Sequence, residues 1–441
     1  MKKNNPYLII LLGFVAVSFV GALLLMLPIS RVDGYNASFI DELFTAVSAV
    51  CVTGLTSVQS IDTSYTFFGQ FVIILLEEIG GLGFITIVMF LFSLMGLKIG
   101  IADRFLIKES MNQNSASGMV KLVRSTVKIT LIVQLIGAVL NFIVFIGDFN
   151  FFEALWLSIF HSITAFNNAG FSILSEAQLQ YYNSNIFYVL ITSILIFIGG
   201  IGFVVIYDVI HVKSWRKLRI HSKIVLKTSF VLIVVGTLIF KISEWNQITW
   251  LEAFFTSVNL RTAGFFGINY NMLSFLGYMI ALAFMFIGGS PASTAGGVKV
   301  TTFYTLVKSI ASFATGKRTL TYNRQISNYS ITKAFVLVMF SITVIFMGVS
   351  IISIIERFNS GAEEGYGYLT KIVFEVFSAF SNTGASMGIT PGLHSISKIV
   401  IIFIMLFGRL GPISIIKMWS TRWNNESNNK IKYIEEKMLI G

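Results

Sequence analysis

Phe44-Thr-Ala-Val-Ser-Ala-Val-Cys-Val-Thr-Gly54 decides the fold, because the same pattern returns three more times along the chain. The later copies are Phe160-His-Ser-Ile-Thr-Ala-Phe-Asn-Asn-Ala-Gly170, Phe254-Phe-Thr-Ser-Val-Asn-Leu-Arg-Thr-Ala-Gly264 and Phe374-Glu-Val-Phe-Ser-Ala-Phe-Ser-Asn-Thr-Gly384. Each copy has a Phe ten residues before its glycine, and Thr or Ala just before it. One match would carry no weight, but four in step with the hydrophobic pattern define a repeat. Each stretch lies between two hydrophobic runs and is too short to cross a bilayer, a length that suits a helix dipping in and out of one face. Three copies open on acids, Asp41 and Glu42, Glu153, and Glu252. A carboxylate is favoured at the partly positive start of a helix.

The surrounding composition makes lipid the solvent. Hydrophobic residues make up 55% of the 441 positions and charged residues only 12%, about half the charged share of a soluble chain. Tyr7–Met26, Ile129–Gly147, Ile186–Tyr207 and Ala334–Ile355 contain no charge, and each is about long enough to span a hydrocarbon core. A signal peptide is the alternative for the first. No small-residue cleavage site follows Leu27-Pro28, so it reads as a true span. The single cysteine, Cys51, excludes an intrachain disulfide, and the scattered histidines 161, 211, 221 and 394 offer no metal-ligand spacing.

The net charge of +11 is explained by topology rather than by nucleic acid. Segments 98–128, 211–227 and 299–333 carry six Lys or Arg each, whereas 29–66, 148–185, 241–270 and 356–398 carry one, none, two and three. The latter four hold thirteen of the 21 acidic residues. The positive-inside bias puts the basic segments and both termini in the cytoplasm. After each short stretch comes another long apolar run with its own glycine cluster: Gly80-Gly81-Leu-Gly83, Gly199-Gly200-Ile-Gly202, Gly288-Gly289-Ser-Pro291 and Gly408-Arg409-Leu-Gly411-Pro412. The predicted fold is therefore all-α and polytopic, with four repeats of span, short helix, loop and span. That gives eight transmembrane helices around a pseudo-fourfold pore. Repeats are expected at 1–98, 99–220, 221–320 and 321–420, followed by a tail over 421–441.

Non-helical backbone at membrane depth survives only where it is buried in protein or lines a water-filled path. Four loops at one axis would present a ring of carbonyls able to replace the hydration shell of a monovalent cation. Glycine suits the position because it reaches φ > 0 freely. The expected filter is Thr53-Gly54, Ala169-Gly170, Ala263-Gly264 and Thr383-Gly384, with potassium at the carbonyls of Val52, Asn168, Thr262 and Asn382. No acidic ring lies in these loops, which argues against a divalent ion.

These loops and the Gly-rich stretch below them resemble the Trk/Ktr/HKT superfamily of potassium transporters, most closely its KtrB-type membrane subunit, over nearly the whole chain. Extra N-terminal helices of TrkH-type members are missing, and Gly54 stands where sodium-selective HKT proteins have serine. The resemblance implies a homodimer with one pore per protomer. It also implies a cytosolic RCK-type, KtrA-like ring that binds the regulating nucleotide, so that nucleotide would sit on the partner subunit only. With the Ile-, Asn- and Lys-rich usage, it points to a bacterial plasma membrane. Whether sodium activates transport, which nucleotide is read and which Ktr member this is are left open by the sequence.

Gly288-Gly289-Ser290-Pro291-Ala292-Ser293-Thr294-Ala295-Gly296-Gly297 interrupts a run with no charge between Arg261 and Lys299. It is not a Walker loop, since Val298 precedes the lysine, and Gly81-Leu-Gly83 is not a dinucleotide fingerprint, since Thr86 takes the third glycine position. A kinked helix is one reading; an intramembrane gate below the filter, which the resemblance implies, is the other. Arg409 lies midway along the last span, where a charge is costly and usually functional. In the family an arginine here faces the cavity, repelling cations or bonding the loop closed; the alternative is snorkelling to the cytoplasm. For Glu77 and Glu78 the sequence leaves open which, if either, faces the pore, although at least one is expected at the cavity or a subunit contact. Arg261 is expected to brace the outer back of the filter. Within the tail, Tyr433–Ile440 mixes charged and apolar residues and suits a surface or interface helix, docked on a partner or on the second protomer. A secondary transporter with broken helices and a membrane enzyme are the rival readings. Copies sharing one topology argue against the first. The absence of a nucleophile or metal constellation argues against the second.

Overall fold

The computed structural model of the chain describes residues 6–58, 60–111, 115, 117–359, 366–411 and 414. Pro412 and the tail over 421–441 lie outside the described residues. Four long helices, Pro6–Leu25, Met119–Phe145, Ile220–Ser243 and Asn328–Asn359, form an outer set. Each is followed by a short helix, Phe39–Cys51, Phe151–Asn167, Trp250–Asn259 or Tyr366–Ser381, and then by a returning helix that begins at Phe67, Ile186, Phe275 or Ser395. Large apolar side chains stay exposed on the outer helices, among them Leu12, Leu135, Phe230 and Phe346. The opposite stripe of the first, Ile10, Phe14, Ser18, Gly21, Ala22 and Leu25, is buried. Lipid takes the place of water on the exposed face, so the pattern is apolar all round with small residues turned inward.

A glycine on every outer helix sets the contact with the returning helix. A Cβ at Gly21, Gly137, Gly236 or Gly348 would collide with Leu76, Leu195, Phe284 or Ile404, in each case the residue four before the glycine cluster. The short helices start on side-chain caps: Ser38 with Asp41, Asn150 with the Glu153 N–H, and Thr249 with Glu252. These satisfy N–H groups that the first turn leaves unpaired. Phe44, Phe160 and Phe374 are buried, whereas Phe254 is half-buried and its neighbour Phe255 fills the core.

The returning helices differ from the sequence reading. Ile186–Tyr207 is not one helix but two, Ile186–Gly200 and Phe203–Val212. The first returning helix likewise breaks at Gly83, bending by 93° between Phe67–Leu82 and Phe84–Leu94. The breaks share one cause. Gly83, Gly202 and Gly411 have φ of 85°, 90° and 77° with ψ near 132–141°, a region essentially closed to any residue with a side chain. Each lies three residues after Gly80, Gly199 or Gly408. In the third returning helix the break widens into the loop between Phe275–Phe286 and Val300–Ala314. Among the described residues, four helices are long and apolar enough to cross a membrane unaided, or up to six when the bent pairs Phe67–Leu82 with Phe84–Leu94 and Glu176–Asn183 with Ile186–Gly200 each count as one span. Beyond the third returning helix, Leu320–Thr321 pairs antiparallel with Arg324–Gln325.

Candidate functional site

The first, second and fourth short helices end alike. Val52, Asn168 and Asn382 are left-handed, with φ of 57°, 59° and 53°. The next residue's N–H returns to the helix: Thr53 to Ser48 O (2.8 Å), Ala169 to Thr164 O (3.0 Å), Thr383 to Ser378 O (2.9 Å). This is a Schellman closure without its usual glycine. The third helix stops earlier. Thr262 takes φ 76°, and Asn259 holds the turn by accepting the Phe265 N–H at 2.8 Å. A β-branched residue in this region is strained, and Val52 and Thr262 both are.

The four loops then meet one another in a closed cycle. A Cβ on Gly54 would strike the carbonyl oxygen of Ala169, one on Gly170 that of Ala263, one on Gly264 that of Thr383, and one on Gly384 that of Thr53. Their φ values are 90°, 75°, 66° and 86°. Glycine is thus required twice over, for the backbone region and for the approach of the neighbouring carbonyl. Behind the ring, Gly80, Gly199 and Gly408 leave no room for a methyl against the carbonyls of Val50, Phe166 and Phe380. Asn382 Nδ2 donates to Thr53 Oγ1 (2.8 Å) and to Met405 O (3.0 Å), tying the last loop to the first and to its returning helix. With its amide oriented to satisfy both ends, Asn168 donates to Ile196 O at 3.1 Å, the matching contact one half-cycle away.

Beneath the ring lies the 288–297 stretch, pinched at its neck by Gly288 N–H to Val298 O (2.9 Å) and Val300 N–H to Gly289 O (2.9 Å). Its tip is anchored on the second returning helix. Ser290 N–H donates to Gly200 O (2.9 Å), Phe203 N–H donates to Ala292 O (2.9 Å), and Thr294 N–H reaches Gly199 O (3.4 Å). Ser293 Oγ donates back to Ser290 O at 2.6 Å. Ala292 is left-handed at φ 54°, and Gly297 at 65°. Pro291, Ala292, Ser293 and Ala295 face a cavity of about 430 Å³ that also reaches Lys299 and Arg409.

The Arg409 guanidinium donates from Nη1 to Thr294 O and from Nη2 to Gly80 O and Gly81 O, the last at 3.2 Å. It clamps the loop to the first returning helix and does not snorkel. Sequence reasoning overlooked Lys299, whose ammonium donates to Ala295 O (2.7 Å) and Gly296 O (3.2 Å); its place two residues past the glycines was the available signal. Glu77 and Glu78 both point at the second short helix and the outer helix before it. Glu77 accepts from Thr164 (2.8 Å), and Glu78 accepts from Gln134 and Asn167 (both 2.7 Å). Arg261 does brace, through Ser229 O and Oγ at 3.2 Å. It does so level with Gly200 and Gly289, beside the broken helices, rather than at an outer surface.

A family of cation transport proteins, TrkH, matches residues 1–431. The chain belongs to this family. TrkH-family members are membrane cation transporters and not enzymes. The chain is 36% identical over 450 residues to the potassium/sodium uptake protein NtpJ of Enterococcus hirae, covering 100% of this chain and 98% of that one. It is 34% identical to the Ktr system potassium uptake protein B of Bacillus subtilis, covering 100% and 97%. Among these TrkH-family likenesses it sits on the Ktr side. In fold it matches the potassium transporter TrkH from Vibrio parahaemolyticus with a TM-score of 0.73 at 18% identity, over 96% of this chain and 86% of that one.

Proposed function

We propose that this chain takes up potassium through a channel-like pore whose filter is the cycle of Gly54, Gly170, Gly264 and Gly384. One observation carries the reading: each glycine closes against the carbonyl of the next loop, and the fourth returns to the first. A closed ring of backbone oxygens fits a monovalent cation stripped of water. Left-handed turns at Val52, Asn168, Thr262 and Asn382 support potassium at their carbonyls. In this reading four repeats, bounded as the sequence suggests, supply eight crossings around a pseudo-fourfold axis, with each broken returning helix counted once. The loop 288–297 is the gate, held shut by Arg409. Both termini face the cytoplasm of a bacterial cell, as the Lys/Arg distribution favours.

Relatives named for potassium uptake and for a Ktr system support the ion and a regulatory partner. That partner is a cytosolic RCK-type ring carrying the nucleotide, and two copies of this chain form a homodimer on it. Sodium activation is a further proposal, supported by a relative named for potassium and sodium uptake. The deciding experiment is growth of a potassium-uptake-deficient bacterium on limiting potassium. Expression of this chain restores growth, and Gly384→Ser reduces the discrimination of potassium over sodium. Absence of rescue by a correctly inserted protein removes the reading.

A further inference from the structure

The loop below the ring does more than obstruct. Thr294 Oγ1 lies 3.3 Å from Phe166 O, the last-turn carbonyl of the second short helix, and 3.4 Å from the side-chain amide of Asn168. Three residues are thereby gathered, one from the loop and two from the end of the helix that carries Gly170. Two residues further along, Gly296 packs against filter-loop atoms of the fourth repeat, the Ser381 carbonyl and the Asn382 side chain. Asn382 in turn donates to Thr53 in the first loop. So the loop touches the backs of the second and fourth segments of the ring at once, and through Asn382 it reaches the first. Thr294, Ser381, Asn168 and Asn382 are all buried, so these contacts are not shared with bulk water.

We propose that Thr294 is a positioning residue for ion selectivity: its hydroxyl holds the end of the second short helix and Asn168, so the ring has its selective geometry while the loop is seated. The inference rests on the filter-and-gate reading above. It has a physical basis in what the hydroxyl replaces. The last carbonyls of a helix have no partner within the helix, and a buried one without a donor is costly. At Phe166 O the donors are the Asn168 amide, at 3.3 Å in the orientation given above, and the hydroxyl of the loop's Thr294. When the loop moves aside, the carbonyl and the Asn168 amide lose it together, and the backbone two residues before Gly170 is free to settle differently.

The test is tracer uptake of rubidium and of sodium, measured separately into vesicles holding the full-length protein. Thr294→Val keeps the shape and removes the hydroxyl. The expected result is a fall in the rubidium-to-sodium ratio of about threefold to tenfold, the range for one lost hydrogen bond. Thr294→Ser keeps the ratio of the native protein. If the valine variant changes total flux but not the ratio, or changes neither, the loop is only an obstruction and the proposal falls. It falls equally if serine lowers the ratio as far as valine does. Should the valine variant fail to insert, Thr294→Ala takes its place with the same expectations. Gly384→Ser in the same assay separates this from the parent reading: an unchanged ratio there removes the filter itself.

Discussion

Arg409 brings three carbonyl oxygens, Thr294 O, Gly80 O and Gly81 O, onto one planar cation. Lysine has three donors on a single nitrogen and cannot span such a set with the same fork. A fixed positive charge also repels a permeating cation, the more so where the dielectric is low. The two effects separate by substitution. Arg409→Gln abolishes both, and flux should rise about tenfold or more, the scale of losing a charge-assisted hydrogen bond. Arg409→Lys keeps the repulsion but weakens the clamp, and the geometry predicts a rise here too, smaller than for glutamine. A native flux in the lysine variant would leave repulsion as the whole effect. Unchanged flux in a well-inserted glutamine variant would remove Arg409 from gating.

At the scale of elements, the returning helices all break at one level, but only the third break has grown into a loop. Its neck is closed by backbone bonds between Gly288 and Val298 and between Gly289 and Val300. The tip, Ser290–Ala295, hangs from the second returning helix through Gly199, Gly200 and Phe203. A deletion within Ser290–Ala295 can therefore remove the tip while the neck keeps the flanking helices in register. Flux should rise several-fold, and any cytosolic regulator should lose its grip on it. Lower or native flux from such a variant, with the protein inserted and monodisperse, would mean that the tip supports the pore instead of closing it. The break at 201–202 was legible in Gly199-Gly200-Ile-Gly202 only as a cluster, because a glycine run is equally compatible with close helix packing. What decided it was Ala292 O taking the Phe203 N–H, a partner nearly ninety positions away.

For the whole molecule, the ring closes only if the last repeat meets the first. Asp41 caps the first short helix and accepts from Lys398 on the last returning helix at 2.7 Å. Lys398 also donates to Pro391 O at 3.0 Å. Burial alone would raise the Asp41 carboxyl, but hydrogen bonds from Lys398 and Ser38 outweigh it and hold it below its ordinary value. A folded-state value below the unfolded one stabilises fully above the ordinary value and is lost as pH falls through the lower, folded one. Lys398→Met should lower the apparent melting temperature in detergent at neutral pH by about 1–2 °C, the scale of a partly exposed pair. It should also flatten the loss of stability on acidification below about pH 4. Identical melting curves for the two proteins across that range would show that the seam holds without this pair.

The four Phe-to-Gly stretches, the charge-free runs and the Lys/Arg bias were enough to establish a membrane protein with short dipping helices, because periodicity and charge placement are local properties. The same holds for the unusual 288–297 stretch and for the cost of a charge at Arg409. Which atoms those residues meet was not local. Nothing near Gly54 in sequence announces Ala169 O, and nothing near Arg409 announces Gly80, 329 positions earlier. For Glu77 and Glu78 the sequence left the partner open; hydroxyl and amide donors from Thr164 and Asn167 supply it. Lys299 went unread because a lysine after a loop is common, and Thr294 was read only as one member of the 288–297 stretch. Chain chemistry dictates which segments are apolar enough to enter the membrane and where glycines cluster in them, while the breaks and their pairing into a ring depend on contacts between segments from about ninety to more than three hundred residues apart, which only packing can choose.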